Sequence, residues 1–302
     1  MSLRVLVAAL GGDLYAGGAR ASVPAPGHSP ADRSVSLLLS GDRVVIHSFG
    51  GAAWTEVRDH LVAAGLIDRA GRITGSAATG RAAQVRAAPA AAVRLAAARR
   101  LWAEAGPLTP ATLSSRHLAG RAIGRDPAGI AALRHHPAAP RSVYRAGGPG
   151  QAALVAAVCT PDGGLTAVEV TYLAPGGRRD ARLRLSRKTV GLVPAGSAVR
   201  LDPPGAALLV AEGVMTALSA GERFGLPAWA LGSAGNLAVW RAPDGVGRVL
   251  IAADPGAAGE AAAARLARGL GAQGVEAEVA LPPAGAGDWN ALAVSERRRE
   301  GG

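Results

Sequence analysis

Two short apolar runs, each ending in a carboxylate and each followed by a helical pattern, constrain this chain more than any other feature. Ala207-Leu208-Leu209-Val210-Ala211 reads as a buried strand that ends in Glu212-Gly213, and helical spacing then continues to Phe224. Val249-Leu250-Ile251-Ala252-Ala253 repeats the design and ends in Asp254-Pro255-Gly256, ahead of a small-residue turn and an Ala-rich helix over 260–270. Wholly apolar strands alternating with helices belong to parallel sheets covered on both faces, and such sheets bind ligands just beyond the C-terminal ends of their strands. Pro227–Leu231 and Val275–Leu281 supply further strands, and a Gly-rich loop leads on to Asp288-Trp289-Asn290. Glu212, Asp254 and Asp288 thus each fall at a strand end or just after one. Three carboxylates on one edge repel each other unless a divalent cation neutralises them. Hard oxygen ligands favour Mg²⁺, which takes phosphate oxygens as further ligands and suits phosphodiester chemistry.

The net charge of +11 is unevenly placed. Residues 205–302 carry eight arginines against ten acids, so the basic excess lies wholly in residues 1–204. A basic front joined to an acidic α/β part points to a polyanion held by the one and a cation-dependent centre in the other. Lys188 is the only lysine among 33 basic residues. A compact ammonium suits a single phosphate charge, which makes Lys188 a candidate for catalysis as well as for nucleotide binding. It closes a cluster with Arg178, Arg179, Arg182, Arg184 and Arg187. In Arg182-Leu183-Arg184-Leu185 a strand would send both arginines to one face. Arg184, Arg187 and Lys188 are therefore expected to track phosphates, although the same pattern also describes a solvated sheet face.

The single cysteine, Cys159, excludes an intramolecular disulfide and fits a reducing cytoplasm. Met1–Leu10 lacks a convincing cleavage site, and no run of about 18 apolar residues is present to span a membrane.

Residues 1–68 read as a small α+β unit: a short helix over 3–10, strands at 34–39 and 43–47 around the turn Ser40-Gly41-Asp42, and a helix from Trp54 to Ala64 with Trp54, Val57 and Leu61 on one face. Residues 69–90 read as a linker. In 91–204 the patterns predict helices over 91–105 and 113–118, a strand end at Arg134-His135-His136-Pro137, and a hairpin whose strands, 153–158 and 165–173, flank Pro161-Asp162-Gly163-Gly164. The paired histidines point in different directions, as neighbours in a strand do.

Together these pieces resemble the toprim family, the catalytic module of bacterial DNA primases and of type IA and II topoisomerases. The resemblance rests on Val210-Ala211-Glu212-Gly213-Val214-Met215-Thr216-Ala217-Leu218, Ile251-Ala252-Ala253-Asp254-Pro255-Gly256-Ala257-Ala258-Gly259 and Gly287-Asp288-Trp289-Asn290. Upstream, Leu101-Trp102, Arg134-His135-His136-Pro137, Thr171-Tyr172-Leu173 and Arg187-Lys188-Thr189-Val190-Gly191 resemble phage- and plasmid-type primases. The implied fold is an α/β toprim domain, a small parallel-type sheet flanked by helices over 205–295, preceded by an α+β basic primase-like region over 91–204 and followed by a frayed basic tail, 296–302.

The implied activity is Mg²⁺-dependent nucleotidyl transfer making RNA primers on single-stranded DNA. Its ligands would be nucleoside triphosphates, and a separate replicative helicase is an expected partner, since no Gly-x-x-x-x-Gly-Lys-Ser/Thr loop is present. By position, Glu212 is the family's acid/base or metal-organising glutamate, Asp254 the first acid of its Asp-x-Asp motif, and Asp288 part of the later acidic pair. Gly256 stands where the second aspartate is expected. Glu260 reads as a helix-N-terminal acid. Asp32-Arg33-Ser34-Val35-Ser36 resembles a strand of the primase zinc ribbon, but Val23, Ser48 and Ala52 occupy thiolate positions, and His28 and His47 alone do not make a closed zinc site. A nuclease and a non-catalytic nucleic-acid-binding protein are the alternatives.

Overall fold

The structure, a computed structural model, describes residues 2–29, 32–48, 53–74, 90–144, 148–183 and 185–300. They form two compact units, 1–90 and 91–302.

In the first unit, helix α1 (Arg4–Leu10) precedes strands β1 (Asp13–Tyr15), β2 (Arg20–Val23), β3 (Val35–Ser40) and β4 (Arg43–Ser48), and helix α2 (Trp54–Ala63) closes it. The strands pair in sequence order as one antiparallel sheet. Its core holds Leu3, Leu6, Val23, Val35, Leu37, Val57 and Leu61. Val23, at an expected thiolate position, is a core residue, and Ala52 lies outside the described residues. Trp54 does not join Val57 and Leu61 in the core: it is 54% exposed, with the Arg58 guanidinium over its ring. Asp32 is the knot of this unit, accepting from the backbone N–H of Ala25, Arg33 and Ser34 and from the side chains of Ser34 and His28. Burial works against its charge, but those hydrogen bonds prevail and hold its pKa at about 2. The linker expected over 69–90 begins later than its composition implied, because Arg72 and Ile73 bridge back to Arg43 and Ile67. Residues 75–89 lie outside the described residues.

The second unit opens with α3 (Ala91–Glu104), β5 (Gly106–Pro107) and α4 (Leu113–Gly120). Four further strands follow: β6 (Leu133–Pro140), β7 (Gly150–Cys159), β8 (Leu165–Tyr172) and β9 (Arg187–Gly191). Strands β5 to β9 make an antiparallel sheet in sequence order. One face packs on α3 through Val155, Val168, Val170, Tyr172 and Val190. His135 bonds Ser114 of α4, while buried His136 meets Glu104 of α3 at 3.3 Å, so the paired histidines do face opposite ways.

The remaining elements are β10 (Val199–Arg200), β11 (Ala207–Ala211), α5 (Val214–Phe224), β12 (Ala228–Ala230), α6 (Ala234–Leu237), β13 (Arg248–Ala252), α7 (Ala257–Gly271), β14 (Glu276–Ala280) and α8 (Trp289–Glu300). Their sheet runs β10-β12-β11-β13-β14, parallel except for β10. Alternation along β11 divides its side chains between two cores. Leu209 and Ala211 pack with α5, α8 and the antiparallel sheet, whereas Leu208 and Val210 pack with α6 and α7. Each buried aliphatic side chain contributes about 1.5–3 kcal/mol. Gly221 lets α5 approach β12, since a Cβ there would stand 2.9 Å from that of Ala228. The two sheets are also stitched by reciprocal 2.9 Å hydrogen bonds between Cys159 and Ala198. Arg297-Arg298-Arg299 form the last turn of α8, not a frayed tail, because that helix packs on α5.

Candidate active site

Strands β11 and β13 run parallel in register, Ala211 beside Ala252, so Glu212 and Asp254 leave the sheet at the same edge. The backbone holds each there. The Glu212 carbonyl accepts from Gly232 at 2.8 Å, and Ala253 N–H reaches the Ala280 carbonyl of the next strand at 3.0 Å. Helix α7 begins hard against Asp254: a Cβ on Gly259 would lie 2.4 Å from the Asp254 carbonyl oxygen, which explains the small residue there. Asp288 precedes α8 and accepts from Ala291 N–H at 2.6 Å, the geometry of a cap.

Asp254 senses both of the other acids. Burial raises the Asp254 pKa to about 6, the charges of Glu212 and Asp288 add to the rise, and Arg187 opposes it. Burial also raises Glu212, against a hydrogen bond from Ala234 N–H and the charge of Arg187. Asp254 Oδ1 is buried without a hydrogen-bond partner. Such an oxygen among mutually repelling carboxylates fits a hard divalent cation. Among the described residues, however, no three Asp, Glu, His or Cys side chains gather closely enough to hold an ion. Glu212 and Asp254 would therefore hold Mg²⁺ with water or phosphate oxygens, and Asp288 would act on it by charge. Gly256 leaves open space where a second acid would stand, and Glu260 turns back to accept from Gly256 N–H at 3.0 Å.

Facing this acidic edge is the far side of the antiparallel sheet. A cavity of about 370 Å³ lies between them, lined by His117, Arg121, Glu169, Thr171, Arg179, Arg187, Thr216 and Asp288. A second, of about 180 Å³, lies on the other side of Glu169 and includes Glu212, Thr189 and Ser233. The Arg121 guanidinium is depressed by burial and by Arg179 and Arg187, with Asp288 acting in the opposite sense, and its Nε is buried without a partner. Burial raises Glu169, and Arg187 counters. The wall thus offers unneutralised positive charge to an anion beside an edge that calls for a cation.

Of the basic residues expected here, Arg187 arrives. Lys188 does not, because successive side chains of β9 point to opposite faces. It sits on the α3 side, donates to the Arg141 carbonyl at 2.7 Å, lies 4.8 Å from the Tyr172 ring centre, and is lowered by burial to about 8. Of the strand expected over 182–185, the described residues Arg182, Leu183 and Leu185 lie in turn or bend. Asp180 captures the Arg182 side chain and backbone N–H, turning the chain, and β9 begins only at Arg187. Arg184 lies outside the described residues. Sequence reasoning missed His117, Arg121 and Glu169. For Glu169 a signal was available, since it is the one charged residue in its strand, flanked by Val168 and Val170.

No curated protein matches the chain. Among the solved structures similar to this chain are three primases. The primase fragment of the bacteriophage T7 primase-helicase protein is 21% identical over 50% of this chain and 62% of that one, with a TM-score of 0.39. The Aquifex aeolicus primase (zinc binding and RNA polymerase domains) is 15% identical over 93% and 78%, with a TM-score of 0.43. The Escherichia coli primase catalytic core is 15% identical over 70% and 78%, with a TM-score of 0.43. The chain therefore spans less than two thirds of the T7 fragment's length. Residues 92–201 match a domain of unknown function, DUF7146. Residues 207–298 match the toprim domain. The C-terminal α/β part of this chain is a toprim domain.

Proposed function

We propose that residues 91–302 carry out primase-type nucleotidyl transfer, joining ribonucleotides into a primer on single-stranded DNA with Mg²⁺. One observation carries this reading: Arg121, Arg179 and Arg187 share one polar cavity with Asp288, and the charge of Arg187 also reaches Glu212 and Asp254 at the toprim edge. A nucleoside triphosphate with its cation complements both. Glu212 and Asp254 hold the cation, Asp288 adds charge, and the three guanidiniums orient the phosphates. When bound, Mg²⁺ offsets charge developing on the transferring phosphoryl group. Arginine on the front of the chain holds the template strand without reading its sequence.

A second reading is a nucleic-acid-binding protein that keeps the toprim fold without catalysis. It is favoured by Gly256 in place of an acid and by the lack of a three-carboxylate group among the described residues. A primer-synthesis assay with labelled nucleotides, single-stranded DNA and Mg²⁺ or Mn²⁺ separates the two. The first reading expects product in the wild type and its loss, by roughly 100-fold or more, in Glu212→Gln. No product, with salt-sensitive DNA binding unchanged by that substitution, would establish the second.

A further inference from the structure

His117 is 7% exposed and lines the cavity between the cationic wall and the toprim edge. Its Nδ1 lies 2.9 Å from the carbonyl oxygen of Gly177. A carbonyl can only accept, so the proton resides on Nδ1, and in a neutral ring Nε2 then carries a lone pair. No described residue donates to Nε2. This is notable because Arg121, Arg179 and Arg187, all rich in donors, line the same cavity. Burial and the nearby charges of Arg121 and Arg179 keep the ring neutral.

The contact that sets this tautomer is itself built in. Gly177 has φ +80°, and a Cβ there would come within 3.1 Å of the Arg116 side chain, so the loop meets α4 at a point where only glycine fits. Nε2 is not among the buried atoms left without a partner, so it opens onto the cavity, where a ligand donor would replace water for a net gain of about 0.5–1.5 kcal/mol. The guanidiniums beside it select phosphate. Of the hydrogen-bond donors that a nucleotide carries, the sugar hydroxyls are covalently nearer the phosphates than those of the base.

We infer that His117 is a specificity residue whose Nε2 accepts a hydrogen bond from a sugar hydroxyl of the bound nucleotide, so that the site selects nucleotides by that hydroxyl. This rests on the cavity being the nucleotide site. The two deoxy analogues of ATP, lacking the 2′- or the 3′-hydroxyl, distinguish which hydroxyl is used.

The test is equilibrium binding of ATP, 2′-deoxyATP and 3′-deoxyATP to the full chain, in Mg²⁺, by calorimetry. Wild type should bind ATP roughly five- to tenfold more tightly than one of the two analogues. In His117→Asn the amide keeps the short reach to Gly177 but nothing stands at the Nε2 position, and the preference should shrink to within about twofold. His117→Gln places an amide oxygen near that position and should restore part of it. Equal binding of all three nucleotides by wild type would overturn the inference without any variant. So would a preference that survives in His117→Asn, or an equal weakening of all three nucleotides there. In each of those cases nucleotide still binds, and the proposed function stands. No binding of any nucleotide by wild type would sink both.

Discussion

Asn290 donates one amide hydrogen to the backbone carbonyl of Arg121 at 2.7 Å and the other to Ser219 Oγ at 2.8 Å, while remaining fully buried. The residue after next from Asp288 therefore does not turn toward the acids. It ties α8 to the C-terminal end of α4, where the Arg121 side chain enters the cavity.

Asn290→Ala should lose about 2 kcal/mol of stability, because a buried carbonyl and a hydroxyl lose their donor. It should also weaken salt-dependent binding of nucleotide, since Arg121 loses its anchor. Urea denaturation and a binding titration at two salt concentrations check both expectations. Loss of stability with binding unchanged would show that Arg121 is held by other means.

Arg187 and Lys188 should behave as opposites. Arg187→Ala should cut nucleotide affinity roughly 10-fold or more, as expected for a charge-assisted phosphate contact. Lys188→Ala should leave affinity within about twofold and lower stability by about 1 kcal/mol through the lost Arg141 and Tyr172 contacts. Parallel titrations and melts of the two variants decide it.

Asp254 gives the fold a pH dependence of definite sign. Its folded pKa, about 6, lies above the ordinary 3.8, so protonation favours the folded state. The contribution is full below pH 3.8 and is lost as pH rises through about 6. The melting temperature of wild type relative to Asp254→Asn should therefore fall between pH 5 and pH 7 by about a few degrees. Millimolar Mg²⁺ should reverse the fall in wild type only. A flat difference across that range would mean that the carboxyl is not held as described.

Gly256 has φ +111° and ψ 157°, a region that is essentially glycine's alone, yet nothing lies within 4 Å of where its Cβ would be. Gly256→Asp should cost roughly 1–3 kcal/mol of backbone strain while restoring the missing acid. Mg²⁺ should then raise the melting temperature more in the variant than in wild type. An equal rise in both would show that the new carboxylate does not reach the ion.

The parallel sheet was legible because its strands are locally complete: Leu208, Leu209 and Val210 are buried on both faces, so a continuous apolar run with an acid at its end has one sensible reading. Glu212 and Asp254 followed from that, since in-register parallel strands finish on one edge. The opposing wall was not legible in the same way. Arg187 was expected, but His117 and Arg121 come from α4 and its end and Glu169 from β8, and they join Arg187 of β9 only through tertiary packing. Arg182 misled because a two-residue alternation looks the same whether a strand forms or an upstream Asp180 turns the chain first. Lys188 stood out by rarity, but its direction depends on the phase of β9, which begins one residue earlier.

The stitch between Cys159 and Ala198 bears on how the unit tolerates crowding. A sheet with two bare edges is a template for strands of other chains. Here β10, at one edge of the toprim sheet, is preceded by a residue already bonded to the end of β7. At the other edge β14 displays Glu276 and Glu278, both drawn toward Arg248 of its neighbour. An incoming strand would meet carboxylates there, so the toprim sheet is guarded at both margins against edge-to-edge aggregation.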